Sequence, residues 1–279
     1  MEQAHYDLSG CNYLTSTIDV SCFRPKWSKD AKGAQTDYGY DSHGLLTQKT
    51  DPADASGIRR KTYITYTTTA PYRKSVVRIC GNTTTCGTNQ ELRTEYDYWG
   101  NTYLPSAVRQ IDASTSTTLE TTYTYDNAGR VLSEDGPLAG TDDAKYYRYD
   151  TFGRKTWEIG PKGANGLRPA TRTTYRNADD KVTLVETGTV PNPTSTTLTV
   201  VSKASTAYDV KRNPKRVTLK SGSGTTYSVT DKAYDNRSRL VCTTVRMNFA
   251  SMPGWACTLG TEGSRAVFDH SGSYPHELK

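Results

Sequence analysis

Four sets of residues in this chain could do chemistry, and each carries a spacing that tests it. Six cysteines could bind metal, react as nucleophiles or form bonds; aspartates recur beside tyrosines; Ser221-Gly-Ser-Gly224 could cradle phosphate; four tryptophans could stack on sugars. Zinc asks for closely spaced pairs such as C-x-x-C or paired histidines. No C-x-x-C occurs, and His5, His43, His270 and His276 do not fall at such spacings. Instead the cysteines form three neighbouring couples, Cys11 with Cys22, Cys80 with Cys86 and Cys242 with Cys257. That spacing favours local disulfides, above all for Cys80-Gly-Asn-Thr-Thr-Thr-Cys86, which lies between β-prone segments where a hairpin base would set the two sulfurs opposite each other. Sequence alone leaves the connectivity open.

Nucleophile-elbow, zincin, Walker A and EF-hand patterns are absent from the sequence. The Ser221–Gly224 stretch is followed by no helix, so it reads as a hairpin loop. A glycosidase needs a second carboxylate at a fixed distance from the first, and a periodic aspartate supplies no such partner. The chain is therefore expected to be non-catalytic, with no cofactor and no metal. Trp27, Trp99, Trp157 and Trp255 suit packing; Trp99, in a turn, is the first choice for a glycan contact.

The elements that position these residues come from a repeat. Tyr-Asp recurs as Tyr40-Asp41-Ser-His-Gly44, Tyr96-Asp97-Tyr-Trp-Gly100, Tyr125-Asp126-Asn-Ala-Gly129-Arg130 and Tyr149-Asp150-Thr-Phe-Gly153-Arg154. Degenerate copies follow at Tyr175-Arg176, Tyr208-Asp209 and Tyr234-Asp235, with Phe268-Asp269 as a last one. From Tyr96 the starts are 29, 24, 26, 33, 26 and 34 residues apart, which suits one hairpin per repeat with loops of variable length. Runs such as Thr121-Thr-Tyr-Thr-Tyr125 alternate with period two and predict strands with tyrosines on one face. Asp126 then opens a type I turn by accepting backbone N–H bonds, and Gly129 takes the positive φ that follows. The same reading covers Asp41/Gly44, Asp97/Gly100 and Asp150/Gly153, and it predicts weaker turns at Asp209 and Asp235, where glycine is missing.

Composition agrees with a thin sheet. Only 34% of residues are hydrophobic, with 4 Phe and 3 Met against 20 Tyr, too lean for a thick two-layer core. Tyrosine suits such a sheet because the ring packs while the hydroxyl stays in water. The formal charge of +6 comes from scattered basic residues interleaved with acids, so it reads as solvated strand faces, with no nucleic-acid partner. No 18-residue apolar run encodes a transmembrane helix, and residues 1–20 lack a secretory h-region, so export would use another route or a longer polypeptide.

The serial Y-D-x-x-G-R motif, best formed at 125–130 and 149–154, resembles the Rhs/YD-repeat family over residues 38–272. The stretch from Arg239 to Gly260 also resembles segments of bacterial Rhs-repeat proteins. The resemblance implies an all-β array of hairpins in a long twisted or spiralling antiparallel sheet, part of a hollow shell. It implies encapsulation and delivery of a toxin domain, with further YD repeats or that toxin as partners. The alternative is adhesion to cell-surface glycans. Either role places the chain outside the cell or on its surface as part of a larger protein. The family's D-P-x-G self-cleavage motif is not matched, since Asp51-Pro52 is followed by Ala53-Asp54. By this reading residues 1–37 are an irregular leader, 38–272 the repeat sheet and 273–279 a tail.

Overall fold

The computed structural model describes residues 3–6, 23–81, 86–87, 90–246, 249, 252, 256–258 and, for the backbone, 263–267. Among these residues the chain is all-β, without an α-helix, and it divides into two compact units, 1–139 and 140–279. The first unit holds β1 Gln3–Tyr6, β2 Pro25–Lys29, β3 Gln35–Tyr40, β4 Leu46–Ala53, β5 Arg59–Tyr66, β6 Lys74–Cys80, β7 Glu91–Tyr98, β8 Pro105–Asp112, β9 Thr117–Tyr125 and β10 Val131–Asp135. The second holds β11 Lys145–Tyr149, β12 Lys155–Ile159, β13 Arg168–Arg176, β14 Lys181–Val190, β15 Thr199–Tyr208, β16 Pro214–Ser221, β17 Thr226–Tyr234, β18 Leu240–Arg246 and β19 Gly263–Val267.

Within each unit every strand pairs antiparallel with its neighbours in the chain, as local hairpins dictate. The sheet starts earlier than the sequence suggested. Residues 25–37, read there as an irregular leader, form β2, a turn at 30–34 and the start of β3, because Asp30-Ala-Lys-Gly33 is itself a turn signal.

Register separates two kinds of face in the second unit. Trp157, Arg172, Glu186 and Lys203 stand opposite one another across four strands on one face. Thr171, Thr187 and Ser202 do so on the other, where the Thr187 and Ser202 hydroxyls lie 2.7 Å apart. The apolar core sits on the first face and is small: Trp157, Ile159, Ala170, Val190 and Leu198, with Tyr146 and Val200 against it. Guanidiniums of Arg148 and Arg172 lie 5.0 and 5.5 Å from the Trp157 ring. Elsewhere on the same face buried carboxylates replace apolar groups. Glu186 pairs with Arg172 at 2.5 Å, and Asp231, 3% exposed, lies between Arg216 and Arg246. Burial pushes the Asp231 carboxyl up, but its two arginine partners outweigh that and hold it below the usual carboxylate range.

Candidate functional site

The feature that repeats with the sequence is the margin where β3–β4, β5–β6, β7–β8, β9–β10, β11–β12, β13–β14, β15–β16 and β17–β18 turn. At Asp126 the turn is complete. Gly129 N–H donates to Asp126 O (2.9 Å) and Asp126 N–H to Arg130 O (3.0 Å), while the side-chain Oδ1 accepts from Ala128 N–H (2.9 Å) and Arg130 N–H (3.0 Å). Gly129 has φ 77°, and an added Cβ would meet Leu104 Cδ1 at 3.0 Å. Arg130 Nε closes on the second carboxylate oxygen at 2.6 Å. Asp150 with Arg154 and Asp235 with Arg239 repeat this clamp at 2.7 Å, and at Asp209 the amide of Asn213 takes the arginine's place at 3.0 Å. These bonds hold the Asp235 carboxyl at about 2; its first cause is the Arg239 backbone N–H. Asp126 is lowered chiefly by the Arg130 side chain.

The turns at Asp209 and Asp235 keep the same bonding without glycine, contrary to the weaker geometry anticipated. Asp209 Oδ1 still accepts from Lys211 and Asn213 N–H, and Asp235 Oδ1 from Arg237 and Arg239 N–H. Arg212 (φ 69°) and Ser238 (φ 61°) occupy the left-handed position themselves. An L-residue there costs about 1–2 kcal/mol, less than the turn's bonds return.

One motif is misplaced by the sequence reading. Tyr96-Asp97 lies inside β7 and Asp97 braces no turn: it pairs with Ala107 in the ladder and its carboxylate binds Arg109 at 2.6 Å. The turn begins two residues later, with Trp99 in the aspartate position donating its N–H to Leu104 O (2.9 Å) and accepting from Thr102 N–H (3.3 Å). Gly100 lies in that turn with φ 54°. The doubled Tyr-Asp-Tyr-Trp run hides the register, since Tyr96 and Tyr98 share the strand's period-two face. Trp99 itself is half-buried and packs on Tyr125, ring centres 5.6 Å apart, so packing accounts for it.

The tyrosine has a role the sequence did not disclose. Its hydroxyl, expected to stay in water, donates to a main-chain carbonyl of the preceding hairpin. Tyr40 reaches Pro25 O (3.1 Å), Tyr66 Leu46 O (3.0 Å), Tyr98 Lys74 O (2.7 Å) and Tyr125 Pro105 O (2.7 Å). In the second unit Tyr175 reaches Lys155 O (2.9 Å), Tyr208 Val182 O (2.7 Å) and Tyr234 Pro214 O (3.2 Å). The receiving residue is each time the first of a returning strand, and from Leu46 on it stands opposite the preceding hairpin's own tyrosine across a β-bulge. Tyr40, Tyr66, Tyr98, Tyr125, Tyr149, Tyr175, Tyr208 and Tyr234 all sit at such bulges. The bulge twists the strand and aims the ring along the sheet, so the tyrosine fastens one repeat to the one before it.

Neighbouring turns are also linked. Arg154 spans from Asp150 to Asp180 (2.7 Å) and Asn177 (2.8 Å), Asn213 from Asp209 to Ser238 (3.2 Å), and Arg73 reaches Gly100 O and Thr102 O. On the opposite margin, Cys80 is bonded to Cys86 and Cys242 to Cys257, with Cα separations of 5.1 and 5.7 Å. The Glu91 carboxylate holds the first loop by accepting from Gly87 N–H (2.7 Å) and Arg78 (2.7 and 2.8 Å). The second is held by Arg246, 2% exposed, which donates to Thr258 O and Ala256 O. Cys11, Cys22, Trp255 and Phe268–Gly272 lie outside the described residues. Among those described, no group of three or more His, Cys, Asp or Glu could hold a metal ion, and no helix is long and apolar enough to cross a membrane.

Residues 27–56, covering β2 to the turn after β4, match the RHS repeat family model. No curated protein matches the chain. Among solved structures, the fold is similar to the crystal structure of TcdB2-TccC3-Cdc42, at 14% identity and a TM-score of 0.53, over 96% of this chain and 13% of that one. It is similar also to the Tc holotoxin pore of Photorhabdus luminescens carrying a TccC3 mutation, at 15% identity and a TM-score of 0.45, over 91% of this chain and 14% of that one. Residues 27–56 thus carry an RHS repeat, the fold as a whole is similar to that of TcdB2-TccC3-Cdc42, and the chain spans a small part of the length of the structures it resembles.

Proposed function

We propose that this stretch of RHS-repeat chain is a non-catalytic wall segment of a larger secreted or surface protein, and that the wall encloses a polypeptide cargo, in the family's pattern a toxin domain encoded elsewhere. One observation carries the reading: the recurrent features of the repeat are spent on closing its turns and joining it to its neighbour. All the Tyr-Asp aspartates but Asp97 brace turns, the Asp126, Asp150 and Asp235 carboxylates are clamped by arginines, and the tyrosine hydroxyls are bonded to the preceding hairpin. Such a chain is built to extend a sheet. Two bonded cysteine pairs support a location outside the reducing cytosol. The two unlike faces support an inside and an outside. Adhesion to glycans through Trp99 has less behind it, because that ring is taken up by Tyr125.

The test uses the native polypeptide that contains these repeats. Lys203 and Lys220 stand opposite each other on the core-bearing face. Amine-reactive cross-linking from both is expected to capture peptides from outside the repeat region. Cross-links confined to residues 23–267 would remove the cargo-enclosing reading.

A further inference from the structure

The turn at Asp41 and the turn at Asp150 correspond position by position, and the arginine of the second has no counterpart in the first. Asp41 matches Asp150, His43 matches Phe152, Thr47 matches Thr156 and Tyr66 matches Tyr175, the last two being the tyrosines that reach back to Leu46 O and Lys155 O. The same positions line a notch in both repeats, about 410 Å³ at Asp150 and about 570 Å³ at Asp41. At Asp150 an arginine of the same turn lines the notch. Arg154 donates to Asp150 Oδ2 at 2.7 Å, and its guanidinium lies 4.8 Å from the Phe152 ring centre and 4.9 Å from that of Tyr175.

At Asp41 the arginine position is Leu45. Asp41 Oδ1 is engaged as in the other turns, accepting from His43 and Leu45 N–H at 2.9 Å each. Oδ2 has no guanidinium: among the described residues its one basic neighbour is His43 Nδ1, at 4.0 Å. Arg73, on the adjoining 67–73 loop, is turned away to Gly100 O and Thr102 O. That loop instead brings Tyr72 over His43, ring centres 4.2 Å apart, adding a third aromatic wall beside Tyr66. The Asp41 side chain is 30% exposed and that of His43 49%, so the notch is open to a visitor.

We propose that this notch binds an arginine side chain presented by a partner polypeptide. The carboxylate oxygen and the aromatic faces are the surroundings that Arg154 finds within its own chain, and a guanidinium satisfies both at once. It is planar, donates through a fork to a carboxylate, and stacks on rings. Lysine lacks the plane and the fork, and a neutral isostere lacks the charge. The first unit therefore presents, at its turn margin, a carboxylate and rings whose counterparts at Asp126, Asp150 and Asp235 are met by an arginine of their own turn.

The experiment titrates the full chain with N-acetyl-arginine amide, following the ring resonances of His43 and Tyr72 by NMR. Saturable shifts are expected, with binding weakened about fivefold or more in Asp41→Asn, the loss of one charged partner at a half-exposed site. N-acetyl-citrulline amide should produce no shift, and N-acetyl-lysine amide should bind several-fold more weakly. Leu45→Arg supplies the missing group in cis, so it should abolish binding and raise the melting temperature. Absence of saturable shifts, equal binding by Asp41→Asn or by the citrulline or lysine probe, or full binding by Leu45→Arg would each overturn the proposal.

Discussion

Replacing Tyr125 by phenylalanine removes one oxygen and leaves the ring, its packing on Trp99 and the bulge in place. The hydroxyl donates to Pro105 O at 2.7 Å, and a net intramolecular hydrogen bond contributes about 1 kcal/mol, within roughly 0.5–1.5. At an m value of about 2.5 kcal/mol/M the urea midpoint should fall by about 0.4 M. The neighbouring rung tests the coupling. Pro105, which accepts this bond, stands opposite Tyr98 across the bulge, so Tyr98→Phe and Tyr125→Phe together should depart from additivity by about 0.5 kcal/mol or more. Tyr125→Phe with Tyr234→Phe, which share no partner, should add. The control is Tyr103→Phe, at a position 68% exposed, where no change is expected. Urea unfolding of the single and double variants, with hydrogen exchange over residues 105–125, reads the outcome. If Tyr125→Phe behaves like the Tyr103 control, and exchange over that hairpin stays as slow as in the parent, the tyrosines pack without fastening and the argument fails.

Gly129→Val should destabilise by about 1–3 kcal/mol in thermal unfolding, because a β-branched residue is strained at φ 77° and its Cβ meets Leu104. Peptide mapping without reduction should recover Cys80 with Cys86 and Cys242 with Cys257; replacing each pair by serines should cost about 2 and about 3 kcal/mol by loop entropy, the longer loop costing more. In alkali the tyrosines matter. Burial raises Tyr40, Tyr66, Tyr98, Tyr125 and Tyr234 above the unfolded value near 10, so their stabilisation is fully present below that pH and is lost as pH rises through their folded values. In acid the sign reverses. Asp126 and Asp235 are lowered, so their stabilisation is present above about pH 4 and is lost as pH falls through the folded values, reaching about 2 for Asp235; melting temperature against pH should show both flanks, and Asp235→Asn should flatten the acid one.

The strands and turns were legible because they are local. Period-two Thr/Tyr runs and the D-x-x-G signal are read within ten residues of chain, and antiparallel pairing of neighbours then follows. The register at Tyr96 was not legible, since Tyr-Asp-Tyr-Trp offers two in-phase tyrosines and only the bulge opposite Pro105 decides between them. Asp30-Ala-Lys-Gly33 carried the turn signal without its tyrosine and so escaped the repeat pattern. Arg130 was legible as part of a motif but its clamp on Asp126 was not, because the pairing depends on which way both side chains leave the turn. The hydroxyl contacts lie 15 to 26 residues back along the chain, at main-chain carbonyls that no residue type marks. The same blindness hid the Asp41 socket, which exists only by comparison of Leu45 with Arg154.

The structure also accounts for repeats of unequal length. The eight connections from β3–β4 to β17–β18 on the tyrosine margin hold between four and seven residues, from 177–180 to 67–73, since the turn must return the strand in step with the bulge and the rung. Connections within each unit on the opposite margin range from four residues, 113–116, to sixteen, 247–262, and both bonded cysteine pairs are found there. Lengthening a loop costs little, about 0.6 kcal/mol per doubling, whereas a slip of one residue on the tyrosine margin would turn every side chain of a strand to the other face. The spacing between successive tyrosines therefore varies chiefly through the opposite margin. Seven hydroxyl rungs at about 1 kcal/mol each are comparable with the whole stability of an ordinary domain, roughly 5–15 kcal/mol, while the apolar cluster of the second unit joins five buried residues among those described. A chain this lean in hydrophobic residues keeps its sheet by repeating a small polar connection, and each repeat depends on its neighbours more than on any common core.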